Sequence, residues 1–200
     1  AERSQGSSTD PCGDTQYRDN DYEQHCEVRD ETLPGGTLTV DASPNGGISV
    51  EAWDQDSIRV RAIVRANAGT EARAKELASG VQIQAGGGRV SATGPDTSRR
   101  EWWSVSYHVS VPRKTDLDLN SVNGGISIRG VTGRMAFDTN NGGVTLADLG
   151  GDVRGRTRNG GVNVSLAGQK WDGAGLDVET TNGGVSVSIP DGYNAELEAR

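Results

Sequence analysis

The tripeptide Asn-Gly-Gly occurs five times in this chain, and the last four copies begin 18, 18 and 23 residues apart. A fixed period near 20 residues is typical of proteins in which one supersecondary unit is repeated and stacked. Asn and Gly tolerate positive φ, so each copy is predicted to bend the chain sharply. The predicted structural turns are Asn45, Gly46, Gly47, Asn123, Gly124, Gly125, Asn141, Gly142, Gly143, Asn159, Gly160, Gly161, Asn182, Gly183 and Gly184.

Apolar and polar residues alternate on both sides of each tripeptide. Met135 and Phe137 stand six and four positions before Asn141, and Val144 and Leu146 stand three and five positions after it. This two-residue period predicts two short strands in each repeat, with one buried face. The same rule predicts that the residues three positions after each Asn are buried, including Val144, Val162 and Val185.

The chain has few bulky side chains to fill a wide core, with one Phe, one Met, four Trp and four Tyr. It is therefore predicted to be all-β with a thin core of Val, Ile and Leu. We favour a β-solenoid, similar to a β-helix, in which equivalent strands stack in parallel, because nearly identical residues recur at equal positions. The alternative is an antiparallel meander or β-sandwich, in which each Asn-Gly forms a hairpin turn.

The organisation along the chain is predicted in three parts. Residues 1–23 are polar and predict a flexible N-terminal leader, residues 24–112 an N-terminal β portion, and residues 113–200 the regular repeats of the same continuous domain. A short helix is expected at about 70–79, with Thr70 as N-cap and Gly80 as C-terminal stop. Around Asn45 the apolar pattern is one position out of step, so a bulge or wider turn near Pro44 is expected.

Charge and cysteine content restrict the class of protein. A net charge of −8 and the absence of clustered Lys and Arg argue against nucleic acid as a partner. No stretch approaches the roughly 18 apolar residues of a membrane span. Cys12 and Cys26 are predicted to form a disulfide, which indicates an oxidising compartment. The start at Ala1 suits either removal of a signal peptide or a shortened chain, and with the disulfide a secreted, periplasmic or cell-surface location is expected.

Outward positions of the repeats form a flat column of small, mostly uncharged side chains. This column is the candidate partner face, and its alternative is an ordinary solvated sheet surface. The residues stand four positions after each Asn and are Ser127, Thr145, Asn163 and Ser186.

The repeats resemble the bacterial putative adhesin family (domain of unknown function 4097). The resemblance rests on Thr-x-Asn-Gly-Gly-Val at residues 157–162 and Leu-x-Gly-Asp-Val at residues 149–153, and it covers about residues 115–189. It implies an exported β-solenoid without catalytic residues. Compared with the family pattern, the repeat portion is expected to be truncated at its C-terminal end.

Several charged residues of the repeats could in principle serve catalysis or metal binding. A polysaccharide-cleaving β-helix would use Asp138, Asp148, Asp152 and Arg154, but exposed carboxylates lack the raised pKa that a general acid requires. No catalytic residue, metal site or cofactor is therefore predicted, although an irregular calcium site between Asp148 and Asp152 is an alternative. Of the adjacent Trp102 and Trp103, one is expected to be exposed, either as a sugar platform or as a cap on the core.

The sequence thus predicts a non-enzymatic, exported β-repeat domain that serves as a scaffold or adhesion module. Its expected partner is a cell-envelope glycan, a protein or a second copy of itself. The alternative functions are a carbohydrate-active β-helix enzyme and a domain that senses the state of the envelope.

Overall fold

The computed structural model describes residues 11–13 and 22–198, and the fold is mostly β. In the first half of the chain the elements are β1 (Glu23–Pro34), β2 (Leu38–Asp41), β3 (Ile48–Trp53), β4 (Ser57–Ala68), α1 (Glu71–Ser79), β5 (Gln82–Gly86), β6 (Arg89–Thr93) and β7 (Trp102–Pro112). In the second half they are β8 (Leu117–Asn123), β9 (Ile126–Arg129), β10 (Thr132–Asn141), β11 (Val144–Ala147), β12 (Gly150–Asn159), β13 (Val162–Ser165), β14 (Gly175–Asn182) and β15 (Val185–Ser188).

The strands form two sheets. Sheet A has eight strands in the order β1-β4-β7-β3-β9-β11-β13-β15, and sheet B has seven in the order β14-β12-β10-β8-β2-β6-β5. Both sheets are mixed, and neither closes on itself, because β1 and β15 remain edges of sheet A and β14 and β5 remain edges of sheet B.

Each of the last four Asn-Gly-Gly copies joins a strand of sheet B to a strand of sheet A. The two strands of one copy therefore do not pair with each other, and each pairs in parallel with the equivalent strand of the next copy. We call such a pair of strands with its corner a coil. The in-register partners of Val162, for example, are Val144 and Val185. Parallel pairing between coils contradicts the alternative in which each Asn-Gly closes an antiparallel hairpin.

The core lies between the inward faces of the two sheets. Inward residues from both sheets, such as Leu119 of β8 and Ile128 of β9, are fully buried in one cluster. The alternation of buried and exposed residues along each strand produces this arrangement, because successive side chains point to opposite faces. At one inward position Gly155 replaces a larger residue, and the Phe137 ring occupies the space that its side chain would need.

The N-terminal part is built differently, from long antiparallel strands. β4 pairs with β1 along twelve residues and with β7 on its other side. The predicted helix is present as α1, with Thr70 accepting a hydrogen bond from the Arg73 N–H and Gly80 as its C-cap. Its buried residues Ala74, Leu77 and Ala78 pack against β1 and β4.

The predicted disulfide is also present and joins Cys12 to Cys26 on β1. Most of the expected leader, residues 1–10 and 14–21, lies outside the described residues. No helix among the described residues combines the length and apolar character of a membrane span.

The first Asn-Gly-Gly copy matches the later copies despite its shifted sequence pattern. Leu38 and Val40 of β2 lie in register with Leu117 and Leu119 of β8. The extra residue falls between β2 and the corner, where the carbonyl of Pro44 accepts a hydrogen bond from the Asn123 N–H. The wider turn that the sequence pattern predicts therefore lies at residues 42–44.

Candidate functional site

The corners of the coils are held together by a ladder of asparagine side chains. Each Asn donates a hydrogen bond from its Nδ2 to the Oδ1 of the Asn one coil earlier. The bonds run from Asn123 to Asn45, Asn141 to Asn123, Asn159 to Asn141 and Asn182 to Asn159, at 3.0, 2.8, 2.8 and 2.8 Å.

A second ladder explains the hydroxyl residue two positions before each Asn. Its side chain donates to the carbonyl oxygen of the first corner glycine of the preceding coil. The bonds run from Ser121 to Gly46, Thr139 to Gly124, Thr157 to Gly142 and Thr180 to Gly160, at 2.8, 2.9, 2.9 and 2.7 Å. Ser121, Thr139 and Thr157 are buried, so these bonds satisfy hydroxyl groups that would otherwise be costly to bury.

The corner glycines are required for a reason other than the predicted positive φ. None of them lies in the left-handed region, so that part of the prediction is wrong. A Cβ on Gly142 would instead overlap the backbone of Gly124, and a Cβ on Gly160 would overlap that of Gly142. The first glycine of each of the last four corners is needed because the preceding corner approaches its backbone too closely for any side chain, and Gly46 is needed because the Val105 carbonyl lies equally close.

The candidate partner face lies on the outer surface of sheet A. Ser127, Thr145, Asn163 and Ser186 stand side by side on β9, β11, β13 and β15, and all but the half-buried Ser127 are exposed. Parallel strands lie about 4.8 Å apart, so the structure sets these side chains at that spacing. Ser49 on β3 lies opposite Ser127 and adds a fifth member. We call the five residues the polar row.

The polar row continues into a basic region that sequence reasoning missed. His108 on β7 lies opposite Ser49, and Arg61 on β4 lies opposite His108. Ser49 could have been found, since it stands four positions after Asn45, but no repeat pattern points to His108 or Arg61. The His108 side chain is exposed on this face.

The charges around His108 affect its protonation. Partial desolvation lowers the pKa of His108 below its ordinary value of 6.5, and the positive charges of Arg61 and Arg65 lower it further. Arg61 is paired with Asp30 at 3.0 Å, whereas Arg65 donates to the Pro11 carbonyl at 2.6 Å. This end of the face therefore carries fixed positive charge beside a neutral imidazole.

The outer surface of sheet B differs, because ion pairs dominate it. Arg156 contacts Asp138 at 2.6 Å, and Arg154 contacts Asp152 at 2.9 Å. The backbone N–H of Arg134, and after it the guanidinium of that residue, lower the pKa of Asp116. Opposite charges on neighbouring strands, and at alternate positions of β12, thus pair with each other within this face.

A shallow groove of about 340 Å³ lies on this outer surface of sheet B. It brings together Asp138 and Arg154, two of the residues of the alternative enzymatic hypothesis, with Asp118 and Asp177. Asp148 and Asp152 do not line it. Asp148 is exposed at a corner with a positive φ of 55°.

Among residues 11–13 and 22–198, no three His, Cys, Asp or Glu side chains come together as a metal site would require.

The two adjacent tryptophans have different surroundings. Trp102 is 40% exposed and contacts the Tyr22 ring edge-on, while Trp103 is half-buried and donates to the Pro95 carbonyl at 3.0 Å. The two rings lie on opposite faces of β7, as alternation predicts.

Burial of the column three positions after each Asn is confirmed for four of its five members, since Ile48 and Ile126 are buried as well. Val144 and Val162 are fully buried, but Val185 is 48% exposed. The prediction is wrong for Val185, which lies on the edge strand β15 and pairs with Val162 on one side only.

The fold is all-β, with a polar row on the outer surface of sheet A and several ion pairs on the outer surface of sheet B. No protein-family model matches the chain, and no curated protein matches it. Among solved structures, a putative cell adhesion protein from Clostridium sporogenes is similar with a TM-score of 0.48 and 8% identity, over 83% of this chain and 99% of that chain.

Two further structures are similar over nearly the same share of this chain. A putative adhesin from Bacteroides fragilis has a TM-score of 0.36 and 9% identity, over 82% of this chain and 97% of that one. A putative lipid binding protein from Parabacteroides distasonis has a TM-score of 0.33 and 9% identity, over the same shares. Because these identities and TM-scores are low, the three similarities say nothing about what this chain binds.

Proposed function

We propose that this chain is a non-enzymatic, exported adhesion module of the solenoid type that binds a linear cell-envelope glycan across the outer face of sheet A. The observation that carries the proposal is the polar row. Five small hydrogen-bonding side chains stand on consecutive strands, in register, without an ion pair among them. Evenly spaced donors and acceptors suit a ligand that is itself a repeating polymer.

The charges on sheet A also favour its outer face as the glycan-binding surface. The polar row leads to Arg61 and Arg65 beside His108, so an acidic group on the glycan would find positive charge at one end. The Arg residues of sheet B are paired with carboxylates of the same face, and Arg61 is paired with Asp30, whereas Arg65 donates to the Pro11 carbonyl. A face whose polar groups are not already paired retains more hydrogen-bonding capacity for a ligand.

Two features of the sequence support export and adhesion. The disulfide between Cys12 and Cys26 suits an oxidising compartment. The resemblance of residues 115–189 to bacterial putative adhesins points the same way. No step of glycan cleavage is assigned to the groove on sheet B, and we propose that the bound glycan leaves unchanged.

The proposal is tested by binding to purified peptidoglycan, a neutral linear polysaccharide and a polyuronate. The variant Thr145→Glu/Asn163→Glu adds two charges to exposed positions of the polar row and should weaken glycan binding by about tenfold or more. The matched control Ala136→Glu/Asn140→Glu adds the same charge to exposed positions of sheet B and should bind like the original chain.

Three results would contradict the proposal. One is the absence of saturable binding to all three glycans, and another is an equal loss of binding in both variants. The third is a rise in reducing ends during incubation with the glycan, because that would show an enzyme.

A further inference from the structure

The polar row ends at a group of basic side chains on the outer face of sheet A. We call this group the basic end, and its members are Arg59, Arg61 and Arg65 of β4 and His108 of β7. Arg61 lies directly opposite His108, and His108 lies directly opposite Ser49 of the polar row. Neighbouring strands are about 4.8 Å apart, so His108 stands between the polar row and the arginines of β4 on one line across the sheet.

Two of the three arginines carry charge that no carboxylate of the described residues neutralises. Arg65 donates to the Pro11 carbonyl, a neutral acceptor, at 2.6 Å. Arg59 has no ion-pair partner in the described part of the chain. Arg61 does pair with Asp30 at 3.0 Å, but both side chains are more than a third exposed, and exposed ion pairs of this kind are weak. An incoming anion can therefore compete with Asp30 for Arg61.

The strands beside His108 bring little negative charge to it. On β3 the carboxylate of Glu51 is diagonal to His108 and lies opposite Arg129 of β9. On β7 itself the same-face neighbours of His108 are Ser106 and Ser110, and the charged residues of β4 on this face are all arginines. More positive than negative charge therefore surrounds the imidazole, so this end of the face suits an anionic ligand.

The protonation of His108 is coupled to such a ligand. Partial desolvation lowers the pKa of His108 below its ordinary value of 6.5, and Arg61 and Arg65 lower it further, so the imidazole of the free chain is uncharged at neutral pH. An anion placed against the ring favours its charged form, in which both ring nitrogens are donors. Binding of the anion and uptake of a proton therefore strengthen each other.

We propose that the basic end is a subsite for an anionic group of the glycan, a carboxylate or a phosphodiester, which binds between Arg61 and His108 while the rest of the glycan lies along the polar row. His108 takes up a proton from the solvent as the anion binds. This inference rests on the proposed function, because the subsite and the polar row form one surface. It adds that acidic glycans are preferred over neutral ones, and that the preference grows as the pH falls.

A galacturonate oligosaccharide and its methyl ester are matched probes, because they share the sugar rings and differ in charge. A carboxylic acid of ordinary pKa is ionised at both about pH 7.5 and about pH 5.5. Isothermal titration calorimetry should show that the acid binds about fivefold more tightly at the lower pH, whereas the affinity for the ester changes by less than about twofold. Repeating the titration in buffers with different heats of ionisation should show proton uptake with the acid and none with the ester.

Variants of the two histidines of the chain assign the proton. His108→Asn keeps a polar side chain that cannot be charged, so its affinity for the acid should change by less than about twofold between the two pH values. His108→Lys carries a permanent charge and should bind the acid at the higher pH about as tightly as the original chain does at the lower one. His25→Asn is the matched control, because His25 lies opposite the buried Ala66 on the inward side of sheet A, and it should keep the original pH dependence.

A glycerol phosphate polymer distinguishes the two sources of the anion. Its phosphodiester groups are ionised at both pH values but lack the geometry of a sugar carboxylate. Tighter binding at the lower pH for the galacturonate alone, or for the phosphate polymer alone, identifies the group that the subsite recognises. The same pH dependence for both shows that the subsite recognises the negative charge itself.

The inference is overturned if the ester binds as tightly as the acid at both pH values, if no proton is taken up, or if His108→Asn keeps the pH dependence. The proposed function survives these results as long as Thr145→Glu/Asn163→Glu weakens glycan binding. Conversely, acid binding with proton uptake that this variant leaves unchanged would keep the subsite and contradict the role of the polar row. If no probe binds at either pH, both proposals are wrong.

Discussion

Residues 23–112 and residues 113–188 bury the same kinds of side chain but are held together differently. In the first region long antiparallel strands surround β4, and α1 packs against β1 and β4. In the second region short parallel strands repeat in register, and two side-chain ladders join each corner to the one before it. The first region is covered by its own elements, whereas the last coil of the second exposes Val185.

This difference shows how stability is distributed in the two regions. A coil contacts mainly its neighbours, so the stability of a stack is close to a sum of coil and interface terms. Every interior coil gains two interfaces, and the last coil gains one. The N-terminal region depends instead on contacts between residues far apart in sequence, such as the pairing of β1 with β4.

The largest effect is expected from a substitution that breaks the contact between corners. Gly160→Ala forces a Cβ into the backbone of Gly142 and should lower the free energy of unfolding by about 3 kcal/mol, the upper end of the usual cost of overpacking. Gly161→Ala is the matched control, because its Cβ would be 3.5 Å from the Gly184 carbonyl, and should change it by less than about 1 kcal/mol. Urea unfolding measures both, and equal values would refute the close-approach explanation.

The second prediction tests whether the two regions are independent. Cys12→Ser/Cys26→Ser removes a cross-link with a sequence separation of 14 residues, so the N-terminal region should lose about 3 kcal/mol of stability. Hydrogen exchange should show less protection in β1 and unchanged protection in β9, β11 and β13. A loss of protection spread evenly over both regions would show that the coils depend on the N-terminal part.

The third prediction compares the loss of stability when a ladder Asn is removed from an interior coil and from the last coil. Asn141 donates to Asn123 and accepts from Asn159, whereas Asn182 only donates to Asn159 within the ladder. Asn141→Ala should therefore cost about 1 kcal/mol and Asn182→Ala about half of that. Thermal melts of the two variants compare them directly, and a larger loss for Asn182→Ala would contradict the ladder account.

The smallest effect concerns pH and the basic end of sheet A. The pKa of His108 is lowered by partial desolvation and by Arg61 and Arg65, so a proton binds the unfolded chain more readily than the folded one. The contribution of His108 is present above its ordinary pKa of 6.5 and is lost as the pH falls through that value. Between about pH 7.5 and pH 5.5, the melting temperature should fall less for His108→Asn than for the original chain. The same fall in both proteins would contradict this assignment.

Much of the repeat region could be predicted from the sequence, because its structure is encoded locally. The two-residue alternation identified the buried columns, the spacing of the tripeptides identified the corners, and Thr70 and Gly80 marked the helix ends. The outward column that became the polar row also followed from counting positions after each Asn.

The remainder could not be predicted because it depends on contacts distant in sequence. Nothing in the pattern of β1 shows that it pairs with β4, and nothing places Arg61 beside His108 at the end of the polar row. The role of the corner glycines was misassigned for the same reason. Positive φ is a property of one residue, whereas the close approach of Gly142 to Gly160 exists only once the coils are stacked.

The most direct test of the stacked, in-register coils is a cross-coil disulfide. Thr145 and Asn163 are partners on neighbouring parallel strands about 4.8 Å apart, a separation that a disulfide spans. Mild oxidation of Thr145→Cys/Asn163→Cys should therefore form the bond in the folded chain, as peptide mapping would show. Thr145→Cys/Ser165→Cys, displaced by two residues and about 8 Å apart, should not form it. Bond formation only in the displaced pair, or in neither, would contradict the register on which the polar row depends.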